Sequence, residues 1–230
     1  KSEIIESLYI FAKQNGLAIG MLPSISEISN MNQSQLIPKP IIIEDILGRK
    51  QKVNDPKFLE NISGKVVLVT GAGGSIGSEL CQQIHRLKPK LLILLEQNEY
   101  NLFKISSKLK DNILPSLTDI KDFSKMELIL KKFKPDYIFH TAALKHITFV
   151  ETDPIEALHT NFLATAKLCQ LCKILKIKKM IFISTDKAVN PTNIMGASKR
   201  LCEKYIQQIA SKEKDTIFTI VRFGNVLGST

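Results

Sequence analysis

The chain has 230 residues with 44% hydrophobic content, which is enough for one α/β domain with a core of its own and a smaller appendage. No stretch approaches the roughly 18 uncharged apolar residues of a membrane-spanning helix, and no signal peptide is visible, so we expect the chain to be soluble as given. The formal net charge of +10 suits an anionic small molecule, a nucleic acid or an acidic membrane surface equally, so charge alone selects no function.

Residues 1–63 differ in pattern from the rest of the chain. Apolar residues at helical spacing predict a short amphipathic helix that ends at Asn15-Gly16, and residues 17–22 have the pattern of a strand. A polar stretch then leads to Pro38-Lys-Pro40. We therefore assign residues 1–63 to a partial N-terminal unit with a connector. Because the chain starts at Lys1 and stops just after an apolar strand, we expect both ends to continue in a longer parent.

From residue 64 to residue 230, apolar strands alternate with helical patterns. The strands are predicted near residues 65–70, 91–95, 113–118, 136–141, 179–184 and 216–223. Several are apolar on both faces, as a parallel sheet covered by helices on both sides requires. The predicted fold is therefore α/β, a doubly wound parallel sheet in Rossmann order that stops before a substrate-binding subdomain.

A glycine-rich turn joins the first of these strands to its helix. The apolar strand leads directly into Gly-Ala-Gly-Gly-Ser-Ile-Gly at positions 71–77, and a helical pattern follows until Pro89. Such a turn lets a pyrophosphate sit on backbone N–H groups at the positive end of a helix, which predicts a bound dinucleotide. The alternative is an ordinary strand-to-helix turn with chance glycines. The residues predicted to bind the dinucleotide are Gly71, Gly74, Ser75, Ile76 and Gly77.

Acidic residues end the second and third strands. Glu96 lies about 20 residues beyond the glycines, where a carboxylate accepts the hydroxyls of an adenine ribose. It favours NAD over NADP, because a 2′-phosphate would meet its negative charge, and the alternative is a solvated loop acid. Asp119 and Ile120 end the third strand and are predicted to lie by the adenine, whereas the alternative for Asp119 is a helix cap before Phe123.

The fourth strand ends in the run His140-Thr-Ala-Ala-Leu-Lys-His146. Small residues at the carboxyl end of a strand near the switch point of the sheet let a cofactor approach the backbone, so Ala142 and Ala143 are predicted cofactor contacts. Lys145 and His146 follow, where a substrate phosphate or sugar would lie, although a structural role for His146 stays open. The sequence shows no partner for His140.

The fifth strand ends in Ser184-Thr-Asp-Lys187, which brings a hydroxyl, a carboxylate and an ammonium to the same edge of the sheet. These groups can polarise a substrate, act as an acid and act as a base. The alternative is a capping Ser-Thr-Asp with a surface lysine. Lys199 is predicted to begin the next helix and to face the same sheet edge.

The basic run from Lys173 to Lys179 and the four cysteines have simpler interpretations. The run is interleaved with aliphatic residues and lacks aromatics and glycine, which indicates the solvated end of a buried helix rather than a nucleic-acid site. Cys169 and Cys172 form the single C-x-x-C pair, and a zinc site needs more ligands than one pair. We therefore predict reduced, packed thiols and no metal.

Five motifs of this chain occur together: Thr70-Gly-Ala-Gly-Gly-Ser-Ile-Gly-Ser-Glu79, His140-Thr-Ala-Ala143, Ser184-Thr-Asp-Lys187, Met195-Gly-Ala-Ser-Lys199 and Arg222-Phe-Gly-Asn-Val226. The set resembles the extended short-chain dehydrogenase/reductase superfamily. Within it, the chain looks like the large, membrane-anchored bacterial UDP-N-acetylglucosamine 4,6-dehydratases, over residues 64–230 and over residues 43–49 before them. Met195 stands at the catalytic position where most members carry tyrosine, which is itself a mark of the large dehydratases. Leu144 and Thr148 depart from that family's tyrosine and proline.

The resemblance implies an internal redox reaction on a UDP-sugar with tightly bound NAD. The C4 hydroxyl is oxidised, water is lost across C5 and C6, and the same hydride is returned to C6. The resemblance also implies that Thr185 hydrogen-bonds the C4 oxygen, that Asp186 protonates the departing C6 hydroxyl and that Lys187 removes the C5 proton. Lys199 would hold the nicotinamide ribose, and Asn225 would contact the substrate.

Other functions stay open at this point. One is a C4 epimerase or a C5-inverting dehydratase on the same fold, although an epimerase needs no leaving-group acid such as Asp186. Another is a non-catalytic module that binds NAD or a nucleotide-sugar, since the portion after the sixth strand is missing. The expected partners are a UDP-sugar and further copies of the chain, with no nucleic acid. We expect the chain to be cytoplasmic and its parent to lie at the cytoplasmic face of the bacterial inner membrane.

Overall fold

The computed structural model describes residues 7–8, 11–12, 14–17, 19–22, 39–40 and 61–226. The chain forms two compact units, Lys1–Asp55 and Pro56–Thr230. The boundary predicted after residue 63 lies a little later than this division, because Ile62 is already buried in a core cluster of the second unit, together with Val67 and Leu92.

The described residues of the first unit form short elements. Residues 7–8, 11–12 and 14 are helical, within the helix predicted to end at Asn15-Gly16. Strand β1 (Gly20–Met21) lies inside the strand predicted at residues 17–22, and it pairs antiparallel with β2 (Lys39–Pro40). Residues 43–49, part of the family resemblance, lie outside the described residues.

The described part of the second unit contains a six-stranded parallel sheet. Its strands are β3 (Val66–Thr70), β4 (Leu91–Glu96), β5 (Ile113–Leu117), β6 (Tyr137–His140), β7 (Lys179–Thr185) and β8 (Ile217–Phe223). They lie in the order β5-β4-β3-β6-β7-β8, so the direction of winding reverses between β3 and β6. The predicted doubly wound parallel sheet is confirmed, and every strand end lies within one residue of its prediction.

Helices cover this sheet. They are α1 (Ser75–Arg86), α2 (Glu99–Ser106), α3 (Phe123–Phe133), α4 (Ile147–Thr152), α5 (Pro154–Ala157), α6 (Ala164–Ile174) and α7 (Ile194–Ala210). A π-helical turn, Leu158–Leu163, joins α5 to α6, and a 3₁₀ turn, Asp186–Ala188, follows β7. In the part of the chain that the structure describes, no helix has the length and apolar character needed to cross a membrane.

Two helix starts differ from the sequence-based expectation. Helix α3 is capped by Asp122, whose carboxylate accepts the N–H of Lys125 at 3.0 Å, so the cap suggested for Asp119 is wrong. Helix α7 begins at Ile194, where the Asn193 side chain accepts the N–H of Gly196 at 2.8 Å. Lys199 therefore lies in the second turn of α7 and does not begin it. The helix begins earlier because Asn193, a residue type that favours the N-cap position, caps it.

Alternate residues of the central strands face two apolar clusters, one on each side of the sheet. Leu68 and Ile93 belong to the cluster under α3, α6 and α7, whereas Val67 and Leu92 belong to the cluster under α1 and α2. All four cysteines are free and buried in these clusters, as predicted. Burial raises the pKa of Cys81 to about 12, which keeps that thiol protonated and unreactive.

The basic run lies at the end of α6 and in the loop before β7. Lys176 pairs with Asp215 at 3.0 Å, and Lys178 pairs with Asp136 at 2.7 Å. Both lysine side chains are mainly exposed, which agrees with the interpretation of this run as a solvated helix end.

Candidate active site

A cavity of about 720 Å³ opens at the carboxyl ends of the strands, where the sheet reverses its winding. Its volume is in the range of small-molecule sites. Most of the predicted site residues line it: Gly71, Gly74, Ser75, Ile76, Gly77, Glu96, Ile120, Ala142, Ala143, Lys145, His146, Thr185, Lys187, Met195, Lys199 and Asn225. Two of them, Asp119 and Asp186, are not among the lining residues.

The glycines form a cradle at one side of this cavity. Gly71 has a φ of 64°, and a β-carbon there would lie 2.8 Å from Cα of Ala142. A β-carbon on Gly77 would lie 2.0 Å from the carbonyl oxygen of Gly71, so neither position accepts a side chain. Gly74 precedes α1, and no side chain caps this helix, so the N–H groups of its first turn are available to a ligand. This arrangement fits the pyrophosphate of a dinucleotide.

Glu96 is held at the edge of the cradle by backbone groups. Its Oε2 accepts the N–H of Gly73 at 3.0 Å, and its Oε1 accepts the N–H of Asn98 at 3.0 Å. Glu96 is only 7% exposed, which contradicts the alternative of a solvated loop acid. Because each carboxylate oxygen can accept more than one hydrogen bond, both can still bind ribose hydroxyls.

The loop after β5 places Ile120 in the cavity wall and Asp119 outside it. Asp119 Oδ1 accepts the N–H of Lys121 at 2.9 Å, and its other oxygen lies 3.6 Å from the ammonium of the same lysine. The side chain therefore stabilises its own loop. Contact between Asp119 and an adenine stays a prediction, without support from the cavity lining.

His140 has two buried partners that the sequence did not reveal. Its Nδ1 lies 2.7 Å from Thr70 Oγ1, and its Nε2 lies 2.8 Å from Thr165 Oγ1. Thr165 donates its hydroxyl hydrogen to the carbonyl of Asn161, so it must accept from His140 Nε2–H. Thr70 must then donate to Nδ1, which leaves its oxygen free to accept the N–H of Ala142 at 3.2 Å. Burial, with a contribution from the charge of Lys199, lowers the pKa of His140 to about 3.

Asn161, in the π-helical turn, fixes the loop after β6. Its Oδ1 accepts the N–H of Leu144 at 2.8 Å, and its Nδ2 donates to the carbonyl of Leu144 at 3.0 Å and to Ser198 Oγ at 2.9 Å. These bonds hold the backbone that connects Ala142 and Ala143, the predicted cofactor contacts, to the exposed His146. The His146 ring packs edge-to-face on Phe149, with 6.2 Å between ring centroids.

A hydroxyl, a carboxylate and an ammonium meet at the end of β7. Thr185 Oγ1 donates to Asp186 Oδ1 at 2.9 Å, and Lys187 Nζ donates to the same oxygen at 3.3 Å. Lys187 Nζ also donates to Asn225 Oδ1, 3.1 Å away in the segment after β8. The hydrogen bonds from Thr185 and then Lys187 lower the pKa of Asp186. Thr185 also caps the 3₁₀ turn, so the capping alternative and the clustered acid–base groups coexist.

Met195 and Lys199 lie on α7 and line the cavity. Met195 is buried against Val150 and Ala157, in an apolar cluster of its own. Lys199 is also buried, and its Nζ donates to the carbonyl of Ile183 at 2.9 Å and lies 4.6 Å from the centroid of the Phe182 ring. Burial lowers the pKa of Lys199 to about 8.

A buried carboxylate beneath the site, Glu203, was not found by sequence reasoning. It accepts from Ser184 Oγ at 2.7 Å, from Arg222 at 2.8 and 2.6 Å, and from Arg200 at 3.0 Å. Burial raises its pKa, but the hydrogen bonds from Arg222, Ser184 and Arg200 outweigh this effect and hold it at about 2. Glu203 thus ties β7, β8 and α7 together. The sequence did contain one signal for this role, because Glu203 lies on the apolar face of α7. An acid that is buried on such a face requires hydrogen-bond or charge partners.

Comparison with protein families gives a match for residues 67–230, to the family described as polysaccharide biosynthesis protein. Capsular polysaccharide biosynthesis protein CapD of Staphylococcus aureus is 36% identical over 93% of this chain and 37% of its own length. An inverting UDP-N-acetylglucosamine 4,6-dehydratase of Campylobacter jejuni is 33% identical over 73% of this chain and 51% of its own length. A UDP-glucose 4-epimerase of Rickettsia bellii is 34% identical over 72% of this chain and 50% of its own length. The chain therefore spans about half or less of the length of each of these relatives.

Solved structures share the fold. Pen from Bacillus thuringiensis superimposes with a TM-score of 0.69 at 35% identity, over 73% of this chain and 54% of that one. A UDP-glucose 4-epimerase from Bifidobacterium longum, in complex with NAD+ and UDP, gives a TM-score of 0.62 at 21% identity. The match covers 68% of this chain and 52% of that one. At that lower identity the likeness establishes the Rossmann-type fold alone.

Proposed function

Because the chain belongs to the polysaccharide biosynthesis protein family, we propose that it is the catalytic core of a nucleotide-sugar 4,6-dehydratase that uses NAD and acts on UDP-N-acetylglucosamine. The observation that carries the proposal is the cluster of Thr185, Asp186 and Lys187, because Thr185 and Lys187 line the same cavity as the glycine cradle. Relatives named as UDP-N-acetylglucosamine 4,6-dehydratases support the reaction class.

NAD fits the cradle side of the cavity. The first turn of α1 would bind the pyrophosphate, Glu96 the adenine ribose, and Lys199 the nicotinamide ribose. Ala142 and Ala143 let the cofactor lie against the backbone. The epimerases of the same fold that were solved with NAD add support. When bound, NAD supplies the group that takes the hydride from C4 of the sugar and returns it at C6.

The residues at the end of β7 would handle the protons of the reaction. Lys187 would take the C5 proton, which the C4 ketone makes acidic, and Asp186 would supply the proton for the departing C6 hydroxyl. Thr185 would hydrogen-bond the C4 oxygen. Asn225 holds the Lys187 ammonium in place, and the bonds of Glu203 to Ser184 and Arg222 fix the ends of β7 and β8 relative to each other.

A C4 epimerase is the second candidate, because relatives at similar identity carry that name. An epimerase returns the hydride to C4 and has no use for an acid at C6. The Asp186-Lys187 pair therefore favours the dehydratase.

The product of UDP-N-acetylglucosamine tests the proposal in the full-length protein. We expect a product lighter by one water, with a C4 ketone and a C6 methyl group by NMR. Substrate deuterated at C4 should deliver its label to C6. Recovery of the C4 epimer would support the epimerase, and recovery of intact sugar after long incubation would support a binding module. Loss of the label to solvent would contradict the internal hydride return.

A further inference from the structure

The loops that precede the strands of the parallel sheet are rich in lysine. These loops all lie at the amino ends of the strands, which is the edge of the sheet opposite the cavity. We call the surface that they form the amino-end face, and it consists of Lys65 and residues 86–90, 108–111, 131–136, 173–179 and 212–215. The basic run from Lys173 to Lys179 is therefore one part of a larger surface.

Charge is divided unequally between this face and the rest of the described chain. The amino-end face has fifteen Lys and Arg residues and four Asp and Glu residues. The remainder of residues 61–226 has ten basic and eleven acidic residues, so the excess of positive charge lies on the amino-end face alone. Repulsion among so many like charges opposes folding, whereas the same charges attract an extended anionic partner.

The helix dipole explains some of these lysines. A positive charge is favourable in the last turn of a helix, where Lys131 and Lys173 lie. Three other lysines come at or just after helix ends with a positive φ, namely Lys88 at 52°, Lys134 at 42° and Lys176 at 52°. Glycine adopts this conformation without the steric cost that a side chain brings. Lysine at three such positions indicates that the charge has a use other than folding.

Two exposed aliphatic side chains lie among the lysines. Ile174 is 70% exposed at the end of α6, and Ile217 is 58% exposed at the start of β8. Thr216 Oγ1 donates to the carbonyl of Cys172 at 3.2 Å, which holds these two segments together. Phe133, the aromatic residue of the amino-end face, packs against the core. Exposed aliphatic side chains between lysines fit the interface of a lipid bilayer, whereas single-stranded nucleic acids stack on exposed aromatic residues.

We propose that the amino-end face docks on a membrane surface that contains anionic phospholipids. The ammonium groups lie at the level of the lipid phosphates, and Ile174 and Ile217 enter the boundary between headgroups and acyl chains. Because the cavity opens at the opposite edge of the sheet, it stays accessible from solvent in the docked chain. Docking of this kind is independent of the reaction proposed for the cavity.

Vesicle sedimentation with the 230-residue chain measures the docking. We expect binding to phosphatidylcholine vesicles that contain about 30% phosphatidylglycerol, none to pure phosphatidylcholine, and release as the salt concentration rises from about 0.1 M to about 1 M. Lys88→Gly combined with Lys134→Gly should weaken binding about 30-fold, since each lysine near an anionic surface contributes about fivefold. Thermal melts should show unchanged or higher stability, because glycine relieves the positive φ at both positions.

Lys125→Gln combined with Lys204→Gln is the matched control, because both lysines are exposed and lie outside the amino-end face. It removes the same charge and should weaken vesicle binding less than about threefold. NAD affinity, measured by calorimetry, should be the same in both double variants and the unmodified protein, since none of the four lysines lines the cavity. Equal losses of vesicle binding in the two double variants would overturn docking through this face.

The two isoleucines distinguish a bilayer from other polyanions. Ile174→Gln combined with Ile217→Thr should weaken vesicle binding at least about fivefold and leave binding to heparin unchanged, because heparin has no apolar layer. Absence of binding to the anionic vesicles at about 0.1 M salt would show that the proposal is wrong. Vesicle binding that is insensitive to the isoleucine substitutions, together with tight binding of a single-stranded RNA, would assign the face to nucleic acid instead.

Discussion

The carbonyl oxygen of Gly71 lies 2.0 Å from the position that a β-carbon on Gly77 would occupy. The start of α1 and the end of β3 can therefore approach this closely only while position 77 has no side chain. The same carbonyl would lie 3.3 Å from a β-carbon on Gly74, a contact that a small shift relieves.

Gly77→Ala should consequently weaken NAD binding by about 5- to 150-fold, because the backbone of the cradle must move and overpacking of this kind costs about 1–3 kcal/mol. Gly74→Ala is the matched control and should have a smaller effect. Calorimetry with NAD measures both affinities, and thermal melts show whether each variant is folded. Equal losses in the two variants would contradict the cradle geometry.

Glu203→Gln should lower the free energy of unfolding at pH 7 by about 1.5–3 kcal/mol, since hydrogen bonds to a charged, buried group are lost. The folded pKa of about 2 lies below the ordinary value of 4.5, so the unfolded state binds more protons between these values. The stabilisation is complete above pH 4.5 and is lost as the pH falls towards 2.

Denaturant unfolding of the unmodified protein and of Glu203→Gln, from pH 7 to pH 3, measures this difference. The difference in free energy of unfolding between the unmodified protein and Glu203→Gln should become smaller below pH 4.5. Glu127→Gln, which removes an exposed pair with Lys131, should produce a much smaller loss at pH 7. A gap that does not change with pH would show that the charge of Glu203 contributes no stability.

His140 should remain a neutral imidazole with its hydrogen on Nε2 from pH 8 to pH 5, because its folded pKa of about 3 lies far below the ordinary 6.5. The unfolded state takes up a proton below pH 6.5. The free energy of unfolding should therefore decrease as the pH is lowered below 6.5, by at most about 1.4 kcal/mol per pH unit. Nitrogen NMR of labelled histidine reports the tautomer directly. His159→Gln, at an exposed position, should leave this dependence intact.

Glu96→Ala should weaken NAD binding and narrow the preference for NAD over NADP, because the negative charge that opposes a 2′-phosphate is removed. Glu99→Ala, at the exposed start of α2, is the control and should change neither affinity. Calorimetry with both cofactors measures the ratio. Equal affinities of NAD and NADP for the unmodified protein would contradict the assignment of Glu96.

Met195→Ala should destabilise the fold by about 2–5 kcal/mol, as expected for a buried methionine, yet leave turnover of the folded protein within about tenfold. Lys187→Ala should cost roughly 10²–10⁴-fold in turnover, the usual contribution of a positioned base. Met195→Leu conserves volume and should retain both stability and activity. If Met195→Ala is as damaging to turnover as Lys187→Ala, the roles assigned at this site are wrong.

Sequence reasoning located the strands and the cradle because both depend on local pattern. An apolar run ends at Thr70 and glycines follow, and each strand is bounded by polar or turn residues. Glu96 could be placed because it ends its strand. The position of Lys199 in its helix was misjudged because the capping signal of Asn193, which lies earlier in the chain, was not recognised.

The partners of buried polar groups could not be read from the sequence. His140 bonds Thr70, which is 70 positions away, and Glu203 bonds Arg222, which is 19 positions away. Such pairs exist only once the sheet and helices have packed. Asp186 shows the same limit, since its neighbours along the chain line the cavity and it does not.

The position of β3 in the sheet constrains how the chain can fold during synthesis. One edge of β3 pairs with β4, which emerges soon afterwards, but its other edge pairs with β6, where Thr70 is in register with His140. That edge stays unpaired, with its backbone hydrogen-bonding groups uncovered, until about 70 more residues have left the ribosome. Nascent chains that pause before Tyr137 has left the ribosome should therefore be the ones that aggregate or engage chaperones, whereas a pause after His140 has left it should allow the central strand to be protected on both sides.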